Sequence, residues 1–193
     1  MAKTKWLVDP AHSEVQFKVK HLTITTVTGH FRKFDLQGET EEDDFTKASS
    51  VVFTADIDSV DTNNAQRDAH IKSPDFFAAE QFPQLKFIGK KLEKKGDGYI
   101  LTGDLTIRDI TKSVILDVEF AGIVTDPYGQ VKAGFIADGK IKRKDFNLMW
   151  DAVTEAGQVV ASNEVRIHCE IQLIKQAAAP AVSENKSEKS VTA

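Results

Sequence analysis

Cysteine occurs once in the 193 residues, at Cys169. No internal disulfide is therefore available, and with no Cys-x-x-Cys or Cys/His cluster there is no structural zinc site. The fold has to stand on packing alone. Long apolar runs are also missing, and no window approaches the length a membrane-spanning helix needs, so no integral membrane segment is expected. The basic start, Met1-Ala2-Lys3-Thr4-Lys5, is not followed by the apolar stretch of a secretory leader, which makes the cytoplasm the expected compartment. A strong excess of charge is lacking too. The formal net charge of -4 offers no general attraction to phosphate backbones, and nucleic acid is not an expected partner.

What the chain does contain is an ordinary globular composition, 41% hydrophobic and 28% charged, enough for a sizeable core. The composition changes near Gln176, so one domain over residues 1–175 is expected, followed by a mobile tail over 176–193 made mostly of Ala, Ser, Glu, Lys and Pro. Strict alternation over Glu14–Lys20 puts Val15, Phe17 and Val19 on one face and charged or polar residues on the other, the mark of a half-buried strand. The same period recurs over Tyr99–Ile107, Val114–Phe120, Val165–Ile171 and Val51–Ile57. Segments around Val27–Leu36, Leu85–Leu92 and Val131–Ile141 bring the total to about eight strands, separated by turns such as Lys95-Gly96-Asp97-Gly98. That spacing favours a barrel or sandwich. Asn63–Lys72 breaks the period, opens with capping residues and stops at Ser73-Pro74, and is read as the one substantial helix.

The polar residues admit several chemistries. Five histidines, His12, His21, His30, His70 and His168, invite a metal reading, yet no pair has the short spacing that puts two ligands on one face. Asp9, His12 and Ser13 can be drawn as a hydrolytic triad, but no nucleophile elbow surrounds Ser13, and a turn with a cap explains the same residues. On the helix, Arg67 has the fork that grips phosphate oxygens; an ion pair with Asp68 or a loop carboxylate is the plainer alternative. Arg108 and Lys112 read as a solvated turn. The inward face mixes bulky residues (Phe17, Val19, Leu101, Leu105, Phe120, Phe135 and Ile141) with small ones (Gly103, Ala133, Ala137 and Gly139). Small inward residues leave room for a dry apolar cavity, unless the core is filled and the glycines mark bends.

Four motifs in order carry a resemblance. Trp6-x-Val8-Asp9-Pro10-x-His12-Ser13-x-Val15-x-Phe17-x-Val19-x-His21 opens the set, and Ser59-Val60-Asp61-Thr62 with Arg67-Asp68-x-His70-Ile71-x-Ser73-x-Asp75-Phe76-Phe77 and Phe82-Pro83 continues it. Gly103-Asp104-Leu105-Thr106-Ile107-Arg108-Asp109-Ile110-Thr111-Lys112 and Arg143-x-Asp145-Phe146 complete it. Over roughly Trp6 to Ile174 the chain resembles the YceI-like family of polyisoprenoid-binding proteins. The resemblance implies an all-β, extended, antiparallel lipocalin-like barrel with one inserted helix. It implies a long apolar lipid as partner (a polyisoprenoid, an isoprenoid quinone precursor or a fatty amide), no cofactor and no catalysis. With the helix beside the barrel mouth, Arg67 and His70 are the expected contacts to a polar head group. A homodimer is left open. The rival readings are a hydrolase or metalloenzyme using His12, His21 and His70, and a ligand-free interaction module.

Overall fold

The computed structural model describes residues 3–157 and 159–177. Most of the expected tail thus lies outside the described residues. Within them the strands are β1 (Lys3–Val8), β2 (Glu14–His21), β3 (Thr25–Phe31), β4 (Phe34–Glu41), β5 (Ser50–Asp56) and β6 (Val60–Asp61). After helix α1 (Ala65–Lys72) come β7 (Gln84–Lys95), β8 (Gly98–Ile107), β9 (Ile110–Thr125), β10 (Val131–Lys142) and β11 (Ala161–Lys175). All neighbours are antiparallel. Because β1 pairs with both β4 and β11, the eight strands β1, β4, β5, β7, β8, β9, β10 and β11 close into a barrel. Closure removes the unpaired edges that would otherwise invite aggregation, and eight strands enclose room for side chains or one small ligand. The fold is the lipocalin-like all-β barrel with one helix.

The eight barrel strands are not the eight that alternation picks out. Lys3–Val8 is a barrel strand, whereas β2, the clearest alternating segment, lies outside the ring with β3 and β6 as a flap on the edge of β11. Val27–Leu36 is not continuous: at Arg32-Lys33 the chain crosses from flap to barrel, where Arg32 N donates to Ser59 O and Asp56 N to Lys33 O. Helix α1 starts later than expected because Asn64 is its cap, its side-chain oxygen accepting from Arg67 N at 2.9 Å.

Strand β11 serves two partners along one edge, β2 over Ala161–Glu170 and β1 over Leu173–Lys175. Asp9, His12 and Ser13 clamp this change of partner. Asp9 N donates to Gln172 O at 2.8 Å, Gln172 Nε2 donates to Asp9 Oδ2 at 2.8 Å, and Gln172 N donates to Ser13 Oγ at 2.9 Å. His12 Nδ1 lies 2.9 Å from Asp9 Oδ2. Burial works against the Asp9 charge, but the hydrogen bonds from His12, Gln172 and Ala11 outweigh it and hold the carboxyl below its ordinary range. These three residues are a junction between strands.

Two clusters make the core. The larger gathers Phe31, Ile57, Val60, Leu85, Phe87, Leu105, Ile107, Phe146 and Leu148 toward the α1 end, and the smaller gathers Trp6, Ala133 and Leu173 toward the other.

Candidate functional site: an apolar cavity between an aromatic end and a polar end

Both clusters border a cavity of about 510 Å³ whose wall is overwhelmingly carbon. Alternation along β2, β8, β10 and β11 supplies the wall: Phe17 and Val19, Leu101 and Leu105, Ala137 and Ile141, Val165, Ile167 and Cys169. Cys169 faces this space, and burial pushes its thiol up to about 12, helped by the nearby Asp138 charge.

An aromatic cluster stands at one end, beside the exposed Thr46, which also lines the cavity. Phe45 projects from a short 3-10 turn, Phe45–Lys47, in the β4–β5 connection, whose cap Asp44 accepts from Thr46 N. The Phe45 ring lies 4.9 Å from Trp6, 4.8 Å from Phe135 and 5.7 Å from Phe120 between centroids, and Phe120 stacks on Phe135 at 5.0 Å. Trp6 is fully buried, and its Nε1 donates to Thr40 Oγ1 at 3.0 Å, so the indole's polar atom is satisfied inside the plug.

The other end is built from polar bonds to backbone. Helix α1 contributes Arg67, His70 and Ile71, the β2–β3 hairpin contributes Lys20, His21 and Val27, and the β10–β11 loop contributes Leu148, Trp150 and Val160. Arg67 Nε donates to Thr62 Oγ1 and its Nη2 to Thr62 O, both at 2.7 Å. Asp68 Oδ1 accepts from Thr62 N and Oγ1. Arg67 and Asp68 therefore meet on the buried Thr62 rather than pairing with each other. His70 stands edge-on to Phe76 and Trp150, at 5.2 and 5.0 Å, with Nε2 3.0 Å from Asp75 Oδ2.

Arg143, only 3% exposed, holds the loop over this end. It donates to Leu148 O at 2.6 Å, Trp150 O at 2.8 Å, Ser162 O at 3.0 Å and Ala161 O at 3.2 Å, and pairs with Asp151 at 2.5 Å. Lys144 binds the same Asp151 carboxylate. Arg108, expected in a solvated turn, has φ 57° and reaches inward to donate to Phe76 O at 3.2 Å and Asn147 O at 3.0 Å, tying the loop after α1 to the β10–β11 loop.

Residues 6–173 match the YceI-like domain family. The chain belongs to the YceI-like family. A UPF0312 protein of Photorhabdus laumondii is 43% identical over 141 residues, 72% of each chain. The Campylobacter jejuni YceI protein superposes with a TM-score of 0.70 at 32% identity, covering 88% of this chain and 97% of that one. A polyisoprenoid binding domain from Saccharophagus degradans shares the fold, with a TM-score of 0.61 at 14% identity over 89% of this chain and 98% of its own.

In this YceI-like barrel the expected wall residues divide. Phe17, Val19, Leu101, Leu105, Phe135, Ala137 and Ile141 line the cavity, as do Arg67 and His70 at the mouth. Gly103, Gly139 and Phe120 do not. A Cβ on Gly103 would sit 2.3 Å from Phe87 Cζ and 2.6 Å from Ile88 O, and one on Gly139 would sit 2.4 Å from Leu116 Cδ2. Each glycine lets a neighbour's side chain cross over it, so the space it saves is already filled. Phe120 backs the plug behind Phe135. Among the described residues no three His, Cys, Asp or Glu side chains converge as a metal-binding group; His12 sits at the β1–β2 junction, apart from the mouth that His21 and His70 line. Alternation misses Phe45, which lies between strands, and Arg143, which charge alone would place at the surface; the Arg143-x-Asp145-Phe146 motif was its one signal.

Proposed function

We propose that this protein binds and carries one long apolar lipid, with the chain inside the barrel and its polar end at the mouth. The observation that carries this reading is the apolar cavity of about 510 Å³ whose lining includes Arg67, His70, Lys20 and His21. Its size is that of a ligand site, and burying hydrocarbon at about 25 cal/mol per Å² supplies affinity without a catalytic group. Family membership supports the same reading, as does the fold shared with a polyisoprenoid binding domain. Binding rather than catalysis, residence in the cytoplasm, and head-group contact by Arg67 and His70 belong to the proposal. Arg67 spends Nε and Nη2 on Thr62, which leaves Nη1 for a ligand oxygen. Polyisoprenoids, isoprenoid quinone precursors and fatty amides all fit this chemistry.

Native mass spectrometry of gently purified protein, followed by organic extraction, tests the reading. One bound apolar chain per protein is expected, either carried through purification or taken up from added isoprenoid. Empty protein that takes up none overturns it.

A further inference from the structure

Beyond lipid carriage, the α1 end of the barrel shows the solvent an apolar rim. The β2–β3 hairpin turns at Leu22 and Thr23, both at positive φ, and Leu22 N donates to Val160 O at 3.0 Å. The β10–β11 loop is itself drawn together, with Val153 facing Val159 across an isolated bridge and Val160 N donating to Ala152 O. Hairpin and loop therefore form one rim. On it stand Ile24, 77% exposed, Val153, 62%, Met149, 53%, and Val159, 45%. Met149 lies between Leu148 and Trp150, and Val159 precedes Val160, so these exposed side chains adjoin residues that line the cavity. Single exposed apolar residues are ordinary, but several gathered on two joined loops make a surface.

The charge beside the rim indicates what that surface meets. On the outer face, Lys18, Arg166 and Lys140 lie directly opposite one another across β2, β11 and β10. Like charges so placed repel, and Glu164, 3.5 Å from both Arg166 and Lys140, is one carboxylate shared by two cations. Lys20 and Lys142, exposed near the rim ends of β2 and β10, extend the row. At about 3.3 Å per residue, Lys20 lies roughly 7 Å and Lys18 roughly 13 Å from the turn at Leu22.

We propose that the β2–β3 hairpin and the β10–β11 loop dock this protein on an anionic lipid bilayer, the apolar rim entering the interface and the cations meeting the head groups. Elements that lie in a bilayer interface bury their apolar face about 5–10 Å deep. That depth puts Lys20 and Lys142 at head-group level and Lys18, Arg166 and Lys140 within about a Debye length of it. Each such cation strengthens binding to a charged bilayer by about five-fold. With a formal net charge of -4 and cations gathered here, the rest of the molecule is repelled, which selects the face that turns to the bilayer. Docking in this way brings the cavity residues His21, Trp150 and Val160 to the lipid. That purpose rests on the lipid-carrier reading; the docking itself does not.

Flotation of the full chain with vesicles of phosphatidylcholine, alone or mixed with phosphatidylglycerol, tests the docking. At about 0.1 M salt the mixed vesicles are expected to bind at least about ten-fold tighter than the neutral ones, a difference lost at about 1 M salt, where the Debye length is about 3 Å. Lys18→Gln, Lys140→Gln and Arg166→Gln together should weaken binding to mixed vesicles at least about ten-fold and leave neutral vesicles nearly unchanged. Ile24→Ser with Val153→Ser should weaken both kinds of vesicle, by at least about five-fold. Val124→Ser with Tyr128→Ser, at the exposed β9–β10 turn of the other end, should change neither. Melting curves confirm that each variant is folded, and Ile24→Ser alone carries the apolar arm if the double variant is not. Wild type that does not float with mixed vesicles, or floats equally with both, overturns the docking. So does a triple variant that binds like wild type, or a Val124 and Tyr128 variant that loses as much as the rim variant. Flotation by a protein that takes up no lipid overturns the carrier reading alone, and uptake without flotation overturns the docking alone.

Discussion

The two ends of the barrel are held by different physics. At one end, Trp6, Phe45, Phe120 and Phe135 bring their rings together, and the one buried polar atom among them is satisfied within the cluster by Thr40. At the mouth, Arg143, Arg108 and Arg67 donate to backbone carbonyls and so hold loops and helix in place from their edges, without filling the space between them. Packing of rings holds one end through contact area; bridging by guanidinium groups holds the other through directed bonds.

Substitutions should separate the two modes. The largest effect is expected for Arg143→Ala, which removes the guanidinium from four carbonyls, leaves Asp151 with Lys144 alone and costs about 3–5 kcal/mol. At about 2–4 °C per kcal/mol for a domain of this size, differential scanning calorimetry should show the Tm fall by roughly 10 °C. Arg143→Lys should recover little of this because ammonium lacks the planar fork; full recovery would mean that charge alone holds the loop. Next comes Trp6→Phe, which removes the bond to Thr40 and part of the plug, at about 1–3 kcal/mol. A Tm equal to wild type would show that the plug is not tightly packed.

Smaller still is the stability lost in Arg67→Ala, about 1–2 kcal/mol from the Thr62 contacts. Its informative readout is a ratio: farnesyl pyrophosphate should weaken at least about ten-fold more than farnesol, and equal weakening would confine Arg67 to holding α1. The smallest effect belongs to neither end. On the outer face His168 bonds Asp138 at 2.7 Å, which raises its pKa above 6.5 against the opposing effect of burial. A raised folded value contributes stability that is full below pH 6.5 and lost as pH rises through the folded value. The Tm advantage of wild type over His168→Asn, worth under about 1 kcal/mol, should therefore be present near pH 6 and shrink toward pH 8. A constant difference across that range would assign it to packing.

Strand content was legible because a period of two is a local property, and β2, β8 and β9 announce themselves in that way. Which strands form the ring was not, since β1 is short and its partners lie far along the chain, at Gln37–Glu41 and Leu173–Lys175. Inward orientation found Phe17, Leu101, Leu105, Ala137 and Ile141 on the cavity wall. It failed at Gly103 and Gly139 because the volume saved by a glycine belongs to whichever neighbour reaches across it, here Phe87 and Leu116. Arg143 defeated composition reasoning for a related reason: its burial is supported by carbonyls from residues 148–162, which the sequence does not place around it.

The pairing of Trp6 with Lys175 also sets the order of events during translation. The first strand to leave the ribosome cannot complete its ladder until the last has been made, and at about 5–20 residues per second that wait is roughly 10–30 s. Through that interval the edge of β1 that β11 will cover stays open, and so do the apolar faces meant for the interior. A ribosome stalled before β11 leaves a sheet that has no means of closing.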